Sequence, residues 1–134
     1  MWQNFALIQL MGKLILSVDD DRDVLDCLEL ILPTEGYSVV TSLSPENIFE
    51  DVPEYIPDLI LLDIQMGKYN GLDICKELKS NSFTSYIPVL MLSSDQRTSD
   101  DISEYHADGI IKKPFQIADM IKQIGEFGGA KIIP

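Results

Sequence analysis

Short apolar runs alternate with longer amphipathic segments along the chain. The clearest runs cover residues 14–18, 59–62 and 89–92, and weaker ones cover residues 38–41 and 110–111. Continuous hydrophobicity over four or five residues is typical of strands that are covered on both faces of a parallel sheet. Pro88 stands at the start of the fourth run, where a missing N–H is tolerated. The pattern therefore predicts five buried strands.

The segments between these runs carry apolar residues at helical spacing. Three such stripes consist of Val24, Leu28 and Ile31, of Leu72, Cys75 and Leu78, and of Ile117, Ile121 and Ile124. Ser44 followed by Pro45 is typical of an N-cap and a first helical turn, so a helix is predicted from there to about Val52. Residues 100–105 predict a short fourth helix. Alternating strands and helices predict an α/β fold, a doubly wound five-stranded parallel sheet of the flavodoxin-like type with helices on both faces.

Length and composition fit one globular domain. The chain has 134 residues, of which 46% are hydrophobic and 24% charged, and this is enough to bury a core. We expect the domain to cover residues 12–130, with residues 1–11 an N-terminal extension outside the fold and no second domain after the last helix. No apolar run is long enough to cross a bilayer, so no membrane partner is expected.

Charge and cysteine content narrow the function classes. The net charge of −12 argues against direct nucleic-acid binding, which needs clustered Lys and Arg. Cys27 and Cys75 are too few for a disulfide framework, and both fall among apolar residues of predicted helices. The expected compartment is therefore the reducing cytoplasm.

Polar residues follow four of the predicted strands directly. Asp19 and Asp20 follow the first strand, Asp63 the third, Ser93 the fourth, and Lys113 closely follows the fifth. In doubly wound sheets, sites form beyond the carboxyl ends of the strands, so these side chains are predicted to meet at one edge. Each alone would be explained by a cap or a turn. Their coincidence at four strand ends indicates a functional site.

Several carboxylates at one edge would repel one another unless a cation balanced them. Mg²⁺ prefers a few carboxylates, a carbonyl and waters as ligands. Bound there, it can offset charge during phosphoryl transfer, and Asp63 would be positioned as a nucleophile that forms an acyl phosphate. Lys113 offers a point charge and Ser93 a hydroxyl, and both suit phosphate oxygens.

The chain contains, in this order, the segments LILSVDDDRDVL, PDLILLDIQMGKYNGLDICKEL, IPVLMLSS and ADGIIKKPF. Together these four segments resemble the receiver domains of bacterial and archaeal response regulators. The resemblance extends from about Lys13 to Phe127. It implies the strand order 2-1-3-4-5. It also implies phosphorylation of Asp63 by a histidine kinase or a histidine phosphotransfer protein, and Mg²⁺ as cofactor.

The resemblance further assigns a role to each site residue. Asp20 matches the direct Mg²⁺ ligand and Asp19 the acid that acts through water, while the backbone carbonyl of Gln65 matches the one that completes the metal shell.

Ser93 and Lys113 match the residues that bind the phosphoryl group in the family. The bond from Lys113 to Pro114 is implied to be cis.

The chain departs from the family pattern at three places. Gly67 stands where proline is common, and Ile110 stands where the switch aromatic, Tyr or Phe, is usual. The stretch from Ser93 to Lys113 is about two residues short. We expect these changes to leave the phosphorylation chemistry intact and to alter the usual output surface.

The predicted function is that of a phosphoacceptor switch rather than an enzyme, monomeric or weakly dimeric, which controls an unidentified output protein or relays the phosphoryl group. Three other functions are alternatives to this one. A Mg²⁺-dependent phosphatase with an aspartate nucleophile would need an acid two residues after Asp63, where Gln65 stands. A flavin carrier would need a phosphate-cradling loop after the first strand, where aspartates stand. A degenerate receiver that only docks partners would lack site residues that this chain has.

Overall fold

The fold is an α/β sandwich built on a five-stranded parallel sheet, as seen in a computed structural model that describes residues 13–94 and 99–129. In chain order the strands are β1 (Leu14–Val18), β2 (Ser38–Ser42), β3 (Leu59–Asp63), β4 (Gln65–Met66), β5 (Tyr69–Asn70), β6 (Val89–Ser93) and β7 (Gly109–Lys112). The sheet has the order β2-β1-β3-β6-β7, and β4 and β5 form a separate antiparallel hairpin. The predicted fold class and the order 2-1-3-4-5 are confirmed.

The described part of the chain contains five α-helices, of which four lie between strands and the fifth follows β7. They are α1 (Arg22–Ile31), α2 (Ile48–Tyr55), α3 (Gly71–Ser80), α4 (Ser99–Ile102) and α5 (Ile117–Ile124). Short 3₁₀ turns cover Leu32–Glu35, Pro45–Asn47 and Ser103–Tyr105, and a π-helical turn covers Gly125–Gly129. None of the helices described is long and apolar enough to span a membrane. The predicted extension at residues 1–11 and the predicted domain end at residue 130 lie outside the described residues.

The helices cover both faces of the sheet, so its central strands β1, β3 and β6 are buried on both sides. Alternate strand residues point to opposite faces. On one face Leu16, Ile60 and Met91 pack with apolar residues of α2, α3 and α4. On the other face Ile15 and Leu61 pack with residues of α1 and α5. This two-sided burial explains why β1, β3 and β6 are the most apolar strands.

The structure refines several predicted boundaries. Asp63 and Ser93 are the last residues of β3 and β6 rather than the first residues after them. Ser44 does act as an N-cap, because its side chain accepts a hydrogen bond from the N–H of Glu46, but it caps the 3₁₀ turn that precedes α2. The short fourth helix is present as α4 and a following 3₁₀ turn. The β4–β5 hairpin had no counterpart in the prediction.

Gly71 begins α3 at a point where two backbone segments almost touch. A Cβ atom built on Gly71 would lie 2.0 Å from the backbone oxygen of Asp63. The N–H of Gly71 donates a hydrogen bond of 2.6 Å to the carbonyl of Ile64. Only a glycine therefore allows α3 to start this close to the end of β3.

We expect Gly71→Ala to lower the free energy of unfolding by about 1–3 kcal/mol or more, the usual penalty for overpacking. The matched control is Gly125→Ala, because a Cβ there would meet nothing within 4 Å and the backbone is right-handed helical. The control should be neutral or stabilising by up to about 1 kcal/mol. Urea denaturation measures both changes, and equal losses in the two variants would contradict this account.

Candidate functional site

Three carboxylates meet at the carboxyl edge of the sheet. Asp19 and Asp20 follow β1 and Asp63 ends β3, and one carboxylate oxygen from each lies within 4.8 Å of the other two. The register of the sheet explains the closeness, because Val18 is the partner of Leu62 in neighbouring parallel strands. The residues that follow these two, Asp19 and Asp63, therefore come side by side.

Lys113 supplies the positive charge at this edge. Its Nζ lies 2.8 Å from Oδ2 of Asp19 and 3.5 Å from Oδ1 of Asp63. The backbone also fixes its position, because the N–H of Lys113 donates a 2.7 Å hydrogen bond to the carbonyl of Ser93. The peptide bond to Pro114 is cis, which confirms the prediction. One ammonium group thus bridges the ends of β1 and β3.

Asp19 is buried and held by the surrounding backbone. Its side chain is fully buried, and its Oδ1 accepts a 2.9 Å hydrogen bond from the N–H of Asp21. Asp21 is in turn the N-cap of α1, where its carboxylate accepts a hydrogen bond from the N–H of Asp23. The DDD sequence therefore combines a cap with a buried anion. Asp20, between them, is exposed.

Burial and neighbouring charges shift the pKa values at the site. Burial, with the negative charge of Asp19, raises the pKa of Asp63 from 3.8 to about 6, although Lys113 opposes the change. Burial opposes the charge of Lys113, but the hydrogen bond and charge of Asp19, together with Asp63, outweigh it and raise the pKa of Lys113. Of the two buried carboxylates, Asp63 is thus the one that Lys113 compensates less.

Ser93 and Gln65 flank Asp63 on the neighbouring chain segments. Ser93 is buried at the end of β6, one residue beyond Leu92, which is the register partner of Asp63. Gln65 lies two residues after Asp63 in β4, with its side chain exposed. The hairpin formed by β4 and β5 replaces a simple loop here and turns at Gly67, whose φ of +61° favours glycine.

The donor set fits a hard divalent cation. In the described part of the chain, three carboxylates face one ammonium group, that of Lys113, so this group of side chains carries excess negative charge at neutral pH. All available donors are oxygens, which Mg²⁺ prefers, and the site lacks the His and Cys that zinc favours. The structure brings together Asp19, Asp20, Asp63 and Lys113 as predicted from the sequence.

Comparison with known proteins decides the family. The family described as "Response regulator receiver domain" matches residues 15–125 of the chain. The chain belongs to this family. As a receiver domain it is part of the two-component signalling systems, and the resemblance found in the sequence is confirmed.

Relatives of this receiver domain support the assignment. The chain is 34% identical over 107 residues to the alkaline phosphatase synthesis transcriptional regulatory protein PhoP of Bacillus subtilis, with 78% of this chain and 44% of that protein covered. It spans about half the length of the curated relatives it matches.

Solved structures show the same fold. The N-terminal domain of a response regulator receiver protein from Methanoculleus marisnigri is 32% identical, with a TM-score of 0.70 over 85% of this chain and 94% of that one. Response regulator TrrA of Thermotoga maritima, in complex with Mg(2+)-BeF, is 25% identical, with a TM-score of 0.76 over 86% of this chain and 98% of that one.

Sequence reasoning missed two features beside the receiver site. The first is the β4–β5 hairpin, whose strands of two residues are too short to show a period. The second is an open hollow of about 500 Å³ beside Lys113, lined also by Val24, Cys27 and Phe115. Val24 carried a signal as part of the α1 stripe, but Phe115 carried none. Of the departures from the family, the shortened stretch includes residues 95–98, which lie outside the described residues.

We expect Lys113→Met to lower the free energy of unfolding by about 3–5 kcal/mol without added metal, because it leaves the buried Asp19 carboxylate without its cation. The matched control is Lys112→Met at the neighbouring, exposed position, which should change stability by no more than about 0.5 kcal/mol. Urea denaturation at neutral pH measures both variants. Similar losses at the two positions would show that the ion pair is not what matters.

The raised pKa of Asp63 predicts a pH dependence for Asp63→Asn. Between pH 3.8 and about 6 the folded protein keeps a proton that the unfolded chain has released, so the wild type loses stability as the pH rises through this window. Asparagine cannot ionise. In metal-free buffer the variant should therefore gain about 2 kcal/mol relative to wild type between pH 4 and pH 7.

Denaturation curves at both pH values measure this gain. Asp73→Asn, which removes an exposed carboxylate from the first turn of α3, is the control for general charge effects. A difference between Asp63→Asn and wild type that stays constant with pH would mean that Asp63 ionises freely in the folded protein.

Proposed function

We propose that this receiver domain accepts a phosphoryl group on Asp63 in a Mg²⁺-dependent reaction and thereby controls a partner protein. The observation that carries the proposal is the convergence of Asp19, Asp20, Asp63 and Lys113 at one sheet edge. The phosphoryl donor is phosphohistidine on a histidine kinase or a histidine phosphotransfer protein. The domain is a phosphoacceptor rather than an enzyme that turns over other substrates.

Asp63 is better placed as a nucleophile than Asp19. Asp19 is fully buried, and its two oxygens are held by Lys113 and by the N–H of Asp21. Asp63 has only the longer 3.5 Å contact to Lys113 among the described side chains, and a small part of it is exposed. A donor can therefore approach an oxygen of Asp63 without breaking the Lys113–Asp19 ion pair.

The carboxylates of Asp19, Asp20 and Asp63 would hold Mg²⁺, together with the backbone carbonyl of Gln65. When bound, the ion offsets the charge of the phosphoryl oxygens during transfer. The presence of Mg(2+)-BeF in the TrrA structure supports this assignment.

The transfer itself uses residues of the chain. A carboxylate oxygen of Asp63 forms a bond to phosphorus while the bond from phosphorus to the imidazole nitrogen of the donor breaks, and its electron pair stays on that nitrogen. Lys113 and the hydroxyl of Ser93 bind oxygens of the transferred group. Attack by water later releases inorganic phosphate and restores Asp63.

The remaining steps are part of the same proposal. Recruitment of Ser93 and Lys113 to the phosphoryl group biases β6, β7 and their helices toward a second arrangement that an output protein recognises. We infer that the domain works in the cytoplasm as a monomer or weak dimer and does not bind nucleic acid itself. A role as an intermediate carrier in a phosphorelay rests on the same chemistry.

The test is to incubate the protein with Mg²⁺ and acetyl phosphate and to measure its intact mass. We expect one added phosphoryl group, which neutral hydroxylamine removes because it is an acyl phosphate. Asp63→Asn should abolish the uptake, and chelation of Mg²⁺ should do the same. Asp73→Asn, at an exposed aspartate, is the matched control and should be phosphorylated like the wild type.

Two results would decide against this proposal. Uptake that persists in Asp63→Asn would place the phosphoryl group on another residue, and stability to hydroxylamine would indicate a hydroxyl acceptor such as Ser93. No uptake by the wild type, with Mg²⁺ and donor in excess, would favour a receiver that only docks its partners.

A further inference from the structure

An apolar groove lies at the amino edge of the sheet, opposite the edge that carries Asp63. It consists of a hollow of about 420 Å³ and a smaller one of about 150 Å³, which share Ile56, Tyr86 and Ile87. The first hollow extends along α2 and the segment after α3, and the second reaches the residues that precede β3 and β6. We call the two together the amino-edge groove.

The groove collects most of the large apolar side chains that the described structure leaves exposed. Eight such residues are exposed, and five of them line the groove. These five are Phe49, Ile56, Phe83, Tyr86 and Phe127. Scattered exposed apolar residues are ordinary, but a contiguous patch marks a surface that contacts something else. The site chemistry at the other edge makes no use of it.

Ile56 gives independent support for a contact here. It is the C-cap of α2 with φ +49° and ψ +61°, a left-handed conformation that glycine or asparagine normally adopts at helix ends. A β-branched side chain in this conformation is strained by about 1–2 kcal/mol. The side chain is nevertheless apolar and 57% exposed. The fold alone does not explain an isoleucine at this position, whereas a contact in the groove does.

The N-terminal segment enters the fold beside this groove. The first described residue, Lys13, precedes β1, and Leu14 donates its N–H to Oδ2 of Asp58 at 2.8 Å. The N–H of Asp58 in turn donates to the carbonyl of Leu14 at 2.8 Å. Asp58 lines the smaller hollow. Residues 1–12 are therefore tethered at one end of the groove.

The composition of this segment suits the apolar groove, and its length lets it reach beyond Lys13. Residues 1–12 carry no charged side chain in a protein of net charge −12, and they include Trp2, Phe5, Leu7, Ile8 and Leu10. Asp58 is the one charged residue that lines the groove in the described structure, and its Oδ2 is committed to Leu14. From Lys13 to Trp2 the chain can reach about 16 Å as a helix or about 36 Å when extended.

We propose that residues 2–10 pack as an uncharged apolar segment into the amino-edge groove of the same chain. Because the segment is covalently joined to Lys13, the contact is intramolecular. It therefore does not carry the entropy cost of bringing two separate molecules together. A second copy of the chain is a poorer occupant, because two molecules of net charge −12 repel each other. The segment would then shield the exposed rings of Phe83 and Tyr86.

Trp2 is the only tryptophan of the chain, so its fluorescence reports on this segment alone. In the folded, full-length protein we expect emission at shorter wavelength and weaker quenching by acrylamide than in the urea-unfolded chain. The double variant Ile56→Asn, Phe83→Ser should move both values toward those of the unfolded chain. Asparagine tolerates the left-handed backbone and residue 83 is 83% exposed, so the fold itself should be retained, which far-UV circular dichroism checks.

The matched control is Leu30→Ser, at a residue of α1 that is 73% exposed and does not line the groove. It should leave the Trp2 signal unchanged. Three results would overturn the proposal: solvent-exposed Trp2 in the native protein, a protected Trp2 that the groove substitutions do not affect, or protection that appears only as protein concentration rises. The last result would assign the groove to a second copy.

Discussion

The shared contact of Lys113 with Asp19 and Asp63 is the interaction on which the rest of the site depends. It joins a residue after β7 to residues at the ends of β1 and β3, at 2.8 and 3.5 Å. Because the backbone of Lys113 is also hydrogen-bonded to Ser93 at the end of β6, one residue links four strand ends. Among the described residues one positive charge, that of Lys113, faces three carboxylates, so their negative charge is only partly compensated. That imbalance is what supports the proposed binding of a divalent cation and of a phosphoryl group.

The sequence predicted this convergence because strand ends are readable from apolar runs. Parallel strands end at one edge, so Asp19, Asp63 and Lys113 could be brought together before any distance was known. The cis bond before Pro114 and the role of Asp20 as the direct metal ligand are implied instead by the family resemblance. The closer contact of Lys113 with Asp19 than with Asp63 could not be predicted, since the two distances differ by less than an ångström.

Local backbone geometry was the other feature that could not be predicted from the sequence. The start of α2 was placed at Pro45, whereas a 3₁₀ turn occupies that position and α2 begins at Ile48. An α-helix and a 3₁₀ turn can both begin with a serine cap followed by proline, so the sequence does not distinguish them. The left-handed conformation of Ile56 runs against its own propensity, and a propensity argument could not have found it.

Under the proposed function, Ile110 would stand in for the aromatic residue of the switch. It is the register partner of Met91 on β6, and it packs with the cluster formed by α2, α3 and α4. Ser93 lies two residues beyond Met91, on the same face of the strand. Movement of Ser93 toward a phosphoryl group would therefore pull on the strand that carries Met91, and Ile110 would follow through close packing. Close-packed aliphatic side chains transmit small shifts because they have no free volume to absorb them. In the proposed switch, an isoleucine that moves with its strand would thus couple this edge to α4 in place of a ring that rotates between two pockets.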